Sequence, residues 1–317
     1  MNQIPVFITH RGNQKYLRTC IKQANKFSAE VWLIGDDSNA YLSEKHINMD
    51  SAPANLSADI KEFRAKYVHL SNQSKKFERF CIERWIWIRN VMKYTKTSRC
   101  CAIDSDVLIF SRIDEIQSQL TEFSMSFGRW DEKKLCPHFN LIQNYESLDS
   151  FCRYILHIFS NASLLEELKE TLAGPKGRPW ICDMSLFFAW SQSNSQHNIA
   201  VFEDLGSRYL GLDTSISRVE SFTPSKWNLL LTKPWKKLFF HNGRAWAYTK
   251  CGNPIQMHFI HYHGNFKDIM EMHERSICNQ PACLLLLLKK KLITLPGKIK
   301  LFYNNYIHNW LRRGLVV

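Results

Sequence analysis

Two short stretches of this chain hold residue types that do chemistry together. The first is Asp104-Ser105-Asp106, set between the apolar runs Cys100 to Ile103 and Val107 to Phe110. Apolar runs of that length suit a buried strand. Side chains alternate along an extended chain, so Asp104 and Asp106 are expected to point the same way. Two carboxylates at a buried strand end are costly unless a cation or a donor array neutralises them. Their oxygens suit Mn2+ or Mg2+. The plain alternative is a strand end with two solvated aspartates. The second stretch, Ile255 to Lys267, reads as a strand ending in a His-rich turn. Here His261 offers an imidazole that tolerates Mn2+, Gly264 lets backbone approach a phosphate, and Lys267 supplies a point charge for it.

These residues need elements to hold them. Ile4 to Thr9 reads as a strand, Tyr16 to Phe27 has helical spacing, and Val31 to Gly35 is a second strand. Strand, helix, strand at this spacing opens an α/β sheet with parallel strands. Ligands of such sheets sit beyond the carboxyl ends of the strands. That places Thr9, His10, Asp36 and Asp37 at the rim shared with Asp104, either as ligand contacts or as turn formers. Tyr67 to Leu70 reads as a third strand and Lys75 to Tyr94 as a long helix with an apolar stripe through Phe77, Phe80, Trp85, Ile88 and Met92. Arg79 and Arg84 on that helix either reach a diphosphate or pair with Glu78 or Glu83. Phe123 to Gly128 and Phe139 to Ile142 follow as strands, then Leu148 to Ser160 and Leu164 to Leu172 as helices. Gly174 to Pro179 is a basic loop suited to a lid or acceptor loop. Asp183 enters an apolar helix over Ser185 to Trp190, where it caps the helix or meets a substrate. Trp227-Asn228 precedes a strand pair, Lys237 to His241 and Trp246 to Tyr248.

The 317 residues are 45% hydrophobic and carry a formal charge of +13, so an anionic partner such as nucleotide phosphates or an anionic membrane surface is expected. No nucleic-acid motif is visible, and no nucleic-acid partner is expected. The N-terminus lacks the build of a secretory signal, and ten cysteines show no Cys-x-x-Cys. The chain therefore reads as cytoplasmic with free thiols. No run is long enough to span a bilayer. After Glu274 there is no acidic residue, and lysines alternate with Leu284 to Leu288, Phe302, Tyr306 and Trp310. Such a basic helical tail, residues 276–317, either lies on the inner face of the membrane as a peripheral anchor or packs on the domain.

Asp104-Ser105-Asp106 upstream of His261-Tyr262-His263-Gly264-Asn265-Phe266-Lys267 resembles the metal-dependent GT-A glycosyltransferases, and more narrowly glycosyltransferase family 8. That family pairs Asp-x-Asp with a late His-x-x-Gly-x-x-Lys, which falls here on His261, Gly264 and Lys267. The resemblance covers the order of roughly the first 270 residues. It implies a GT-A catalytic domain over residues 1–275, a Rossmann-like, mostly parallel mixed sheet flanked by helices. It implies a nucleotide-sugar donor, a UDP-sugar first among them, and a glycan or lipid-linked glycan acceptor. Asp104, Asp106 and His261 would hold Mn2+ or Mg2+, with Gly264 and Lys267 on the diphosphate; Arg84 and Ser105 beside them are further candidates for donor binding. Thr9, His10 and Asp36 or Asp37 would line the nucleoside pocket, and Asn140 and Asp183 would serve the sugar and acceptor. The sequence departs from the family at three places. Phe139-Asn140 lacks the glycine that completes Phe-Asn-x-Gly, Met184 replaces the Gln after the acidic residue, and Asp268-Ile269 replaces Pro-Trp. A second reading is a sugar-phosphate transferase or nucleotidyltransferase, which would share Asp-x-Asp without needing the His-rich turn; a third is a non-enzymatic basic module binding nucleic acid, whose charge would be spread over a folded face and not concentrated in a tail.

Overall fold

A computed structural model describes residues 4–173, 180–194, 196–206, 211–212, 215–225 and 234–276. In chain order the elements are β1 (Val6–Thr9), α1 (Lys15–Phe27), β2 (Val31–Gly35), β3 (Lys45–Asn48), α2 (Ala54–Lys66), α3 (Lys75–Tyr94), β4 (Cys100–Ile103), β5 (Val107–Ile109) and α4 (Ile113–Gln117). Then come β6 (Met125–Asp131), β7 (Lys134–Cys136), β8 (Phe139–Ile142), α5 (Tyr145–Ser160), α6 (Ala162–Leu172), α7 (Asp183–Ser193) and β9 (Ile199–Val201). The last are β10 (Leu238–His241), β11 (Arg244–Tyr248), β12 (Pro254–Met257), β13 (Phe259–His261), a 3-10 turn over Gly264–Ile269, and α8 (Met270–Glu274).

The central sheet has the order β3-β2-β1-β4-β8, with β3, β2, β1 and β4 parallel and β8 antiparallel at the edge. This is the mixed, mostly parallel α/β architecture that the strand-helix-strand opening predicts. Alternation divides its side chains between two cores. Val6, Ile8, Cys101 and Ile103 pack toward α1, β5 and β13. Phe7, Cys100 and Ala102 pack toward α2, α3, α5 and α7. Each fully buried aliphatic or aromatic side chain contributes about 1.5–3 kcal/mol. The adjacent cysteines thus face opposite layers, and the eight described cysteines are free thiols.

Local chemistry explains the helix starts. Ser74 caps α3 by accepting from the Phe77 N–H at 3.4 Å, and Glu78 favours the positive first turn. Asn144 caps α5 through the Ser147 N–H at 2.9 Å. Two expectations are corrected. Tyr67 to Leu70 is not a strand. Tyr67 turns inward against Phe63 and Phe159, Val68 is exposed, and the Ile181 N–H bonds Leu70 O at 2.8 Å. The third parallel strand is instead β3, a half-exposed edge of weak strand formers, reached before α2. The turn at Asp104 is also not extended, since the Val107 N–H bonds Asp104 O at 3.0 Å. The basic loop 174–179, Trp227-Asn228 and the tail from residue 277 lie outside the described residues.

Candidate active site

The carboxyl ends of β1 and β4 open into a cleft of about 750 Å³. Three distant parts of the chain meet there. The β4–β5 turn brings Asp104, Ser105 and Asp106. Antiparallel pairing of β13 with β5 sets His261 opposite Val107, one residue from Asp106, and the Tyr262 N–H bonds Asp106 O at 2.8 Å. The 3-10 turn then carries Lys267 back over the same carboxylate. Ligand atoms of Asp104, Asp106 and His261 lie within 4.8 Å of one another. The two aspartates converge through a turn and a strand pairing, and not through the alternation expected of an extended strand.

Cationic side chains crowd the two carboxylates. Asp106 is 8% exposed, with Lys267 Nζ at 2.9 Å and His261 Nε2 at 3.3 Å. Burial pushes its carboxyl up, but His261 and Lys267 outweigh burial and hold it well below the usual range. Burial likewise works against charge on His261 and Lys267, and Asp106 outweighs it, so both are raised. Asp104 is raised by burial, with Arg84 opposing. Two carboxylates and an imidazole, pre-gathered beside bound cationic side chains, fit Mn2+ or Mg2+. Behind His261, the His138 ring stacks at 4.5 Å and fixes its plane, and burial keeps His138 neutral by lowering its pKa.

Arg84 ties this triad to a second wall. Its guanidinium pairs with Asp104 and, at 2.8 Å, with Asp183 Oδ2, which the Trp85 indole N–H also reaches at 3.3 Å. Glu78 and Cys182 stand beside Asp183, all three buried within the cleft wall. Burial and the Asp183 charge raise the Glu78 carboxyl to about 7. Glu78 enters the sequence reading only as an ion-pair partner for Arg79 or Arg84, and Cys182 and His138 not at all. Their proximity depends on α3 packing against α7 and on β8 pairing with β4, neither of which a motif announces.

The nucleoside-side residues divide. Thr9 and His10 line the cleft, as do Ser105 and Lys267. His10 Nδ1 meets Ser105 Oγ at 2.9 Å, its Nε2 meets Gln14, and burial lowers its pKa. Asp36 and Asp37 do not line the cleft. Asp36 accepts from the Gly12 N–H at 2.7 Å and the Ser38 N–H at 3.0 Å, and Asp37 from Asn48, so both shape the rim as turn residues. Buried Asn39 does the nearer bracing: its amide donates to His10 O at 3.2 Å and Gly12 O at 2.9 Å. Gly264 opens its turn at φ +62°, a conformation glycine adopts freely, with open space where a side chain would stand. Asn140 on β8 pairs with Ala102, one pleat below Asp104, and is fully buried and outside the cleft lining. Arg79 pairs loosely with Glu83 at 3.8 Å.

No protein-family profile and no curated protein matches the chain. Among solved structures it is similar to mouse xyloside xylosyltransferase 1, apo form, at 13% identity, covering 62% of this chain and 84% of that one with a TM-score of 0.44. It is also similar to the galactosyltransferase LgtC, solved with donor and acceptor sugar analogues, at 12% identity, covering 93% and 98% with a TM-score of 0.41. Overlaps this loose say nothing of substrate.

Proposed function

We propose that this protein is a glycosyltransferase. It moves a sugar from a nucleoside-diphosphate sugar, a UDP-sugar first among the candidates, to a glycan or lipid-linked glycan. The observation that carries the reading is the convergence of Asp104, Asp106 and His261 beside Lys267 at the carboxyl ends of β1 and β4. When bound at these three residues, Mn2+ or Mg2+ supplies Lewis-acid neutralisation of the departing diphosphate. Lys267, held charged by Asp106, adds a fixed positive charge to the leaving-group side. His10 and Ser105 offer donors along the same wall, and Thr9 continues it toward the nucleoside. The open backbone at Gly264 admits a phosphate oxygen.

Arg84 holds Asp104 and Asp183 in fixed places, so the metal side and the acceptor side move together. Asp183 is engaged by Arg84, by the Trp85 indole and by the Met184 N–H at 2.9 Å, which suits it to orient a sugar hydroxyl. The family resemblance implies retained anomeric configuration. Met184, standing where that family has Gln, removes an amide from this wall. Residues 1–275 form the catalytic unit in this reading, and the basic segment 276–317 is an extension that meets an anionic membrane surface.

The test is a thermal-shift screen of nucleotides and nucleotide sugars with MnCl2, followed by NMR of the anomeric product. A nucleotide sugar at a hundred times its Kd stabilises by about 2.7 kcal/mol. Failure of every nucleotide sugar to raise the melting temperature in the presence of Mn2+ rejects the assignment.

A further inference from the structure

Six large apolar side chains stand exposed among the described residues, and two of them, Phe77 and Trp130, line the same cleft. They are 55% and 52% exposed, so neither is a core residue. Phe77 precedes Glu78, which stands beside Asp183 on the side proposed above to meet the acceptor. Trp130 is put there by a break in the β6–β7 register between Arg129 and Asp131, which turns it out of the sheet. The break is pinned on both sides: the Arg129 N–H donates to Glu203 at 2.7 Å, and the Lys133 N–H to Asp131 at 2.9 Å. Phe77 lies in the capped first turn of α3, its N–H held by Ser74. Two aromatic side chains on pinned backbone therefore line the cleft.

The surroundings decide what they meet. A lipid chain needs a continuous apolar wall. Here Gln73, Ser74, Lys76 and Arg79 interrupt it. Alternating aromatic faces and hydrogen-bonding groups suit a pyranose, whose axial C–H face is apolar and electropositive and whose rim is hydroxyl. The negative π face of an indole or phenyl ring takes that C–H face.

Resting on the glycosyltransferase reading, we infer that Phe77 and Trp130 form the acceptor subsite and that the group seated there is a sugar ring. The ring stacks on the aromatic faces, and the polar rim reads its hydroxyls.

Saturation-transfer NMR tests this directly. The probes are methyl glycosides of the common hexoses and N-acetylhexosamines together with octyl glucoside, each with and without MnCl2 and UDP. Ring C–H signals of at least one glycoside should receive saturation from the wild-type protein. Binding should weaken roughly tenfold in Trp130→Ala and in Phe77→Ala, and be largely kept in Trp130→Phe. Tyr94→Ala, an equally exposed aromatic at the far end of α3 and outside the cleft, is the control and should change nothing. Three results overturn the inference: no glycoside saturated, ring saturation that survives both alanine variants, or saturation confined to the octyl chain. The melting screen with nucleotide sugars reports the underlying assignment separately. Donor binding without ring saturation removes the subsite alone, and ring saturation without donor binding removes the transferase reading and leaves a sugar-binding cleft.

Discussion

Glu78 makes a prediction whose sign and size follow from its surroundings. Its carboxyl is 3% exposed on the first turn of α3. Burial raises its pKa most, and Asp183 adds to that. The Ser71 hydroxyl at 2.7 Å, Arg84 and the Asp183 backbone N–H oppose. The balance lifts it from 4.5 to about 7. A carboxyl raised on folding binds its proton more tightly in the native state. Its contribution is therefore complete below pH 4.5 and lost as the pH climbs through 7. Two and a half pKa units correspond to about 3 kcal/mol, of which about 2.5 kcal/mol is spread between pH 5 and pH 8. Glu78→Gln keeps the shape and the Ser71 hydrogen bond but cannot ionise. Urea denaturation of both proteins at pH 5, 6, 7 and 8 isolates this group, because all other titrations are common to the pair and cancel. The variant should gain on the wild type by about 2.5 kcal/mol across that range. A difference that stays flat with pH would mean that Glu78 is charged throughout and that the acidic wall is solvated.

Other outcomes follow from the same geometry. Asp104→Ala and Asp106→Ala should each abolish the Mn2+-dependent melting shift with a nucleotide sugar while leaving a cooperative transition, and EDTA should do the same to the wild type; unchanged turnover in the purified double mutant removes the metal proposal. Asn39→Ala strands the carbonyls of His10 and Gly12 and should cost about 1–3 kcal/mol in chemical denaturation, with weaker nucleotide binding. In Gly211→Ala the new methyl would stand 2.1 Å from Gln256 O, a backbone atom that cannot yield, so a loss of about 2 kcal/mol or more is expected in the same assay. Removing residues 278–317 should weaken sedimentation with anionic vesicles and leave neutral ones unaffected; equal binding by both forms counts against a membrane role.

The parts of this fold legible in the sequence are those where one face is buried over many residues. Helices α1 and α3 and strands β1 and β2 announce themselves because Leu17, Cys20, Ile21 and Ala24, or Val31 to Ile34, repeat at the helical or strand period. Strand β3 does not, since Lys45 and His46 face the rim of an edge strand and carry no buried alternation. Helix α2 carries the same kind of signal, with Leu56, Ile60 and Phe63 spaced for one face. Tyr67 to Leu70 misled because β-prone residues also suit the aromatic packing that follows a helix end. At the site, the residue types of Asp104, Asp106, His261 and Lys267 were sufficient to nominate them. Asn140 lies one pleat below Asp104, a depth that strand parity reveals only once its partner strand is known. Glu78, Cys182 and His138 carry no motif, and only tertiary packing makes them neighbours.

The pairing of β13 with β5 has a temporal meaning. A nascent chain emerging from the ribosome exposes both aspartates long before it contains the imidazole and ammonium that answer them. At 5–20 residues per second the wait is on the order of ten to thirty seconds. A product of premature termination between the two strands carries Asp104 with its Arg84 partner but Asp106 without His261 and Lys267. The set of Asp104, Asp106, His261 and Lys267 is therefore complete only once the late strand β13 and the turn after it are made.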